Sequence, residues 1–225
     1  MTLPPPAVEA QGLARRHGGR WALRNVDLTV PAGQSWMVCG PNGAGKSTLL
    51  RLLATAIAPT AGAVRLFGQP GDAYARGLVG LVGHADHHYD DLSARENLGL
   101  AASVLPRPGA NLDEVLARVG LAGRSDEPVR GFSAGMRKRL AFARLLWKRP
   151  PLVLLDEPFA GLDPAGHAFV DGLLREWRAD GTTVLVSTHQ VARVAAFCHE
   201  AVLLEGGRIS WRGHAVDAPA RAVPT

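Results

Sequence analysis

The sequence predicts an α/β fold: a core of mostly parallel strands, an antiparallel β piece near the N-terminus and a helical subdomain inserted part-way along. Three observations predict it. Short apolar runs of strand length alternate with segments that are apolar at helical spacing. The runs at 152–155 and 183–187 are largely apolar on consecutive positions, the pattern of strands covered on both faces. Between residues 93 and 122 the alternation gives way to helical spacing alone.

Taken in order, residues 23–30 and 35–39 read as two short strands separated by the turn Pro31-Ala32-Gly33, and a glycine-rich loop follows at once. Residues 47–58 are apolar at helical spacing and stop before Pro59, while 63–67 and 77–82 read as further strands. Within the insertion, Ser93 and Glu96 are spaced as a capping box ahead of Leu98, Leu100 and Ala101. A long helix runs from Ser133 to about Trp147, and the strands at 152–155 and, after the Gly181 turn, at 183–187 resume the β/α alternation. The expected organisation is one domain over 1–225. Its core is 1–86 and 139–212, its helical subdomain is 87–138, and a Pro/Ala-rich tail at 213–225 is expected to be poorly ordered.

Composition narrows the function classes. With 47% hydrophobic and 20% charged residues the chain suits a globular protein with one sizeable core. No apolar run approaches the ~18 residues needed to cross a bilayer, and the first residues lack the basic and apolar regions of a signal peptide, so a cytoplasmic location is expected. Two cysteines, Cys39 and Cys198, are too few for a disulfide framework and show no metal-ligand spacing with the eight histidines. The net charge of +5 is spread along the chain, which suits a solvated surface better than a nucleic-acid tract. Arginine outnumbers lysine 22 to three (Lys46, Lys138, Lys148), so a lysine retained in a motif is informative.

The strongest chemical signal is Gly40-Pro41-Asn42-Gly43-Ala44-Gly45-Lys46-Ser47, a complete GxxxxGKS phosphate loop between a predicted strand and a predicted helix. Its glycines let backbone N–H groups turn toward phosphate oxygens, and the helix N-terminus adds positive potential. Lys46 reaches the β/γ-phosphates, Ser47 can ligate Mg²⁺ and Thr48 is a further phosphate donor. A second site needs carboxylates at the end of a buried strand beside this loop. Asp156 and Glu157, at the end of the apolar run at 152–155 and 110 residues after Lys46, fit that place. Asp156 reads as the magnesium-side carboxylate, direct or through water, and Glu157 as the general base for the attacking water.

With these motifs in order, the chain resembles the ATP-binding cassette (ABC) ATPases over nearly its whole length. Phe132-Ser133-Ala134-Gly135-Met136, 24 residues before Glu157, resembles the family signature LSGGQ. Gly161-Leu162-Asp163 resembles the D-loop, and His189, just after the strand 183–187, resembles the switch histidine. Alone, Ser133 is a helix cap, Asp163 a cap before Pro164 and His189 a surface histidine. The resemblance implies instead that Ser133 and Gly135 close on ATP held by a second copy and that Asp163 sits at that interface. His189 then meets the γ-phosphate. Three departures stand out. His17 replaces the aromatic that stacks on adenine, His84 replaces the glutamine that meets γ-phosphate, metal or water, and Ala134 and Met136 replace a glycine and a glutamine of the signature.

Implied with the family are ATP and Mg²⁺, an ATP-dependent head-to-tail homodimer, and transmembrane permease subunits. The implied location is peripheral, at the cytoplasmic face of the cell inner membrane, with no direct nucleic-acid partner. The Ser-Ala-Gly signature and Gly83-His84 resemble the ATP-binding subunits of the haem-export systems of cytochrome c maturation. His84, His87 and His88 lie close together, but the motif position of His84 points to coupling and not to direct haem binding. A compact drug, lipid or polysaccharide exporter ATPase is the alternative cargo reading. A cassette ATPase acting on DNA or the ribosome is a third, against which stand the single cassette and the lack of a long heptad arm.

Overall fold

The computed structural model describes residues 4–72, 74–83, 87–104 and 111–219. Two sheets organise these residues. A four-stranded antiparallel sheet has the order β2-β1-β4-β5, with β1 Val8–His17, β2 Arg20–Val30, β4 Ala61–Leu66 and the short β5 Gln69–Pro70. A six-stranded sheet has the order β10-β9-β3-β8-β7-β6, with β3 Ser35–Cys39, β6 Val79–Val82, β7 Leu152–Asp156, β8 Thr183–Ser187, β9 Glu200–Glu205 and β10 Arg208–His214. All of its pairings are parallel except that of β10 with β9.

The strands β3, β7 and β8 are buried at every position because both faces of this sheet are covered. Side chains alternate across a strand, so β3 sends Trp36 and Val38 into one cluster and Met37 and Cys39 into another. The first cluster gathers Leu49, Leu50, Leu52 and Leu53 of helix α1 (Lys46–Leu53) and the inner face of the antiparallel sheet. The second gathers α4 (Ala134–Lys148), α5 (Pro164–Ala179), α6 (Val191–Ala195) and the insertion helices α2 (Ala94–Val104) and α3 (Leu112–Arg118). In the expected capping box, the Ser93 N–H donates to Glu96 Oε2 at 2.8 Å and the Glu96 N–H donates to Ser93 Oγ at 3.1 Å.

Several boundaries differ from expectation. A strand, β1, precedes the first expected one, and register shifts interrupt its pairing with β2. Helix α1 ends at Leu53, not 58. Thr55 takes a left-handed φ of 55° and the Ala56 N–H closes back on Arg51 O, a Schellman-type stop made without glycine. Residues 74–78 form a 3₁₀ turn, so the strand expected from 77 starts at Val79. Helix α4 runs across the boundary placed at 138/139. Gly213 and His214 still pair with β9 and Ala215 is buried, so ordered structure extends past 212 into the expected tail.

Candidate functional site

The carboxyl ends of β3, β7 and β8 emerge side by side, because Val38 and Asp156 both register with Ser187. That edge is where an open parallel sheet leaves a crevice. From β3 the chain enters the glycine-rich loop. Gly40 has φ 137°, and a Cβ there would lie 2.2 Å from Leu204 O on β9. Gly45 has φ 107°, and its Cβ would lie 2.5 Å from Ala22 O. Only glycine fits either place. Gly45 is also the N-cap of α1 and supplies no side-chain cap, leaving the first-turn N–H groups for something else to satisfy. An open cleft of about 210 Å³ lies there, lined by Ala22, the loop from Asn42 to Thr48, and Glu157. The buried Lys46 ammonium donates to Gly40 O at 2.6 Å and Pro41 O at 3.1 Å, bracing the loop from inside.

Asp156 ends β7 and is buried, accepting from Ser187 Oγ at 2.5 Å. The next residue, Glu157, turns left-handed with φ 49°, anchored by its N–H to Ser187 O at 3.1 Å. That turn carries its carboxylate to the cleft, where Oε2 meets His189 Nδ1 at 2.8 Å. On the other side of the turn, Lys138 of α4 donates to Glu157 O at 2.7 Å and Ala160 O at 2.9 Å. Desolvation lowers the Lys138 pKa, while Glu157 and Asp156 nearby work to raise it. Ser133 caps α4, its Oγ accepting the Met136 N–H at 3.3 Å, and Asp163 caps α5, accepting the Gly166 N–H at 2.7 Å. A Cβ on Gly135 would lie 3.7 Å from Gly161 O, so the segments at 133–135 and 161–163 are neighbours.

The profile of the ABC transporter family matches residues 23–160, which span the glycine-rich loop, the helical insertion and the strand ending in Asp156. The chain belongs to the ABC transporter family. Among its relatives, the Nod factor export ATP-binding protein I of Ralstonia nicotianae is 35% identical over 210 residues, 90% of this chain and 65% of that protein. The cytochrome c biogenesis ATP-binding export protein CcmA of Pseudomonas savastanoi pv. phaseolicola is 43% identical over 189 residues, 82% of this chain and 89% of that one. A dimeric ATP-binding cassette in a post-hydrolysis state, bound to ADP and Pi, superposes with a TM-score of 0.82 at 25% identity, covering 92% of this chain and 98% of that one.

In this ABC ATPase the structure brings together the loop from Gly40 to Thr48, Asp156, Glu157 and His189. Ser133, Gly135 and Asp163 form a separate group beside α4 and α5. His17 is the last residue of β1, exposed and paired with Arg20 across the Gly18-Gly19 turn, while Ala22 on the adjoining strand lines the cleft. His84 lies outside the described residues. Gly83 just before it approaches Asp156, a Cβ there falling 3.9 Å from Asp156 Cβ. Lys138 was missed from sequence as a site residue, although the scarcity of lysine pointed at it.

The donor set fits a magnesium nucleotide. Mg²⁺ takes one or two carboxylates plus phosphate oxygens and water, and a buried carboxylate beside an uncapped, glycine-lined helix start meets that demand. Ser47 and Asp156 are the residues that would hold the ion, which supplies charge neutralisation at the phosphates.

Among the described residues no helix is long and apolar enough to cross a membrane.

Proposed function

We propose that this ABC ATPase powers haem export for cytochrome c maturation from the cytoplasmic face of the inner membrane, docked on transmembrane permease subunits. The observation that carries the cargo is the 43% identity to the CcmA protein over 82% of the chain, together with the Ser133-Ala134-Gly135 signature. A deletion strain supplies the test. Loss of c-type cytochromes, restored by this chain and not by its Glu157→Gln variant, supports the reading, and normal c-type cytochromes in the deletion strain refute it. Export of another cargo is the second reading, favoured by the Nod factor export relative, which matches 90% of the chain.

In the proposed mechanism, ATP lies on the glycine-rich loop with its phosphates against the N–H groups of residues 42–48. Lys46 exchanges its two carbonyl partners for the β/γ-phosphates. Glu157 holds the attacking water and takes its proton on Oε1 or Oε2. His189, 2.8 Å from Oε2, keeps that carboxylate aimed and reaches the γ-phosphate from the other side. Thr48 adds a hydroxyl and His17 flanks the base. Ser133, Gly135 and Asp163 present a second surface for nucleotide held by another copy, giving a head-to-tail dimer with two sandwiched ATP molecules. His84, which in the sequence stands between β6 and the helical insertion, carries the state of the γ-phosphate to the permease.

A further inference from the structure

We infer that Lys138 is a positioning residue for hydrolysis, tying the start of the signature helix to the turn that bears Glu157 so that the two move as one body. This rests on the hydrolytic reading above.

The turn at 157–160 is closed by the Ala160 N–H donating to Glu157 O at 3.2 Å. It must hold a non-glycine residue at φ 49°, a costly conformation that persists only when neighbours impose it. Lys138 does so by bridging both ends of the turn at 2.7 and 2.9 Å. It lies five residues after the Ser133 cap, about 7.5 Å along the helix at 1.5 Å per residue. Two further contacts join the same stretches: Gly135 packs beside Gly161, and the Arg139 guanidinium lies 3.7 Å from Asp163. A displacement of the Ser133 end of α4 is therefore passed to the backbone of the general base.

The residue type fits the task. Each lysine of this arginine-rich chain clamps two carbonyls: Lys46 those of Gly40 and Pro41, Lys138 those of Glu157 and Ala160, Lys148 those of Arg76 and Val79. An ammonium is a compact point charge with three rotatable donors and serves two converging oxygens, whereas a guanidinium fork matches planar anions. Arg137 and Arg139, flanking Lys138, each pair with a carboxylate, Asp90 and Asp163, besides donating to one carbonyl each, Val129 O and Val119 O.

The test uses the full chain with ATP and Mg²⁺ and measures ATP affinity, kcat and thermal midpoint for Lys138→Met. Lys138→Gln, which offers fewer donors and no charge, replaces the methionine variant if that one does not fold. The inference expects kcat to fall about ten-fold or more at unchanged ATP affinity, because a misplacement near 1 Å carries penalties of that order or larger. A kcat within two-fold of wild type, whatever the thermal midpoint does, overturns it, and so does a loss of ATP affinity that accounts for the fall in rate. A wild-type chain that hydrolyses no ATP overturns the hydrolytic reading instead.

Discussion

Replacing Gly40 by alanine tests the idea that the phosphate loop is moulded against the C-terminal part of the chain. The new Cβ would lie 2.2 Å from Leu204 O, whereas real Cβ atoms essentially never come within 3.0 Å, so the β9 backbone has to retreat by about 0.8 Å. Leu203 of β9 registers with Cys39 of β3, and that pairing opposes the retreat. The φ of 137° adds ~1–3 kcal/mol for a non-glycine residue and the overpacking ~1–3 kcal/mol, a destabilisation of about 4 kcal/mol. Gly43→Ala is the internal control: its φ is 78° but nothing lies within 4 Å of the new Cβ, so only ~1–2 kcal/mol of backbone strain is expected. For a domain of this size, thermal midpoints fall by about 8–16 °C for Gly40→Ala and ~2–8 °C for Gly43→Ala. Urea melts check the ordering independently of reversibility on heating. Equal midpoints for the two variants would refute the close approach of loop and strand.

Lys46→Ala removes the loop's own ammonium; nucleotide titration is expected to find ATP affinity and turnover both collapsed, with the circular dichroism spectrum unchanged. Lys46→Arg is expected to fail as well, its planar fork too bulky for the pair of carbonyls that Lys46 now serves. Glu157→Gln keeps ATP binding and slows hydrolysis about 100-fold or more, and gel filtration with ATP and Mg²⁺ is expected to recover a dimer; monomer alone would count against the sandwich. Burial pushes the Cys39 thiol up to about 11 and Cys198 up to about 12. Above pH ~9 the unfolded thiols lose protons that the native ones keep, so stability falls as pH rises from 9 toward 11. Urea midpoints of a Cys39→Ala/Cys198→Ala chain are expected to fall less over that range.

What could be read from sequence follows from how locally each feature is encoded. β3 and β8 are apolar enough on consecutive positions to be found to the residue, and the Ser93–Glu96 box signals itself within four residues. β1 escaped because Gly12 and the basic run Arg15-Arg16-His17 break its alternation, and its bulges show only when β2 and β4 are paired against it. The α1 stop escaped because Thr55, not glycine, takes the left-handed residue. Within the site, the loop glycines and the paired acids were legible as contiguous motifs. The contact of His189 with Glu157 and the reach of Lys138 to the 157–160 turn were not, since each joins segments far apart in the chain.

The placement of β3 at the middle of its sheet has a consequence for biosynthesis. Val38 registers with Ser187 and Cys39 with Leu203, so the strand that launches the glycine-rich loop has no neighbours until the last part of the described chain exists. Contacts so distant in sequence close late, after their loop entropy has been met, while local helices such as α4 form early. ATP therefore meets a completed cradle only once β8 and β9 have been made. A nascent chain halted between Ser47 and the start of β8 bears the full GxxxxGKS string while its apolar central strand still lacks both partner strands and is exposed for chaperones to recognise.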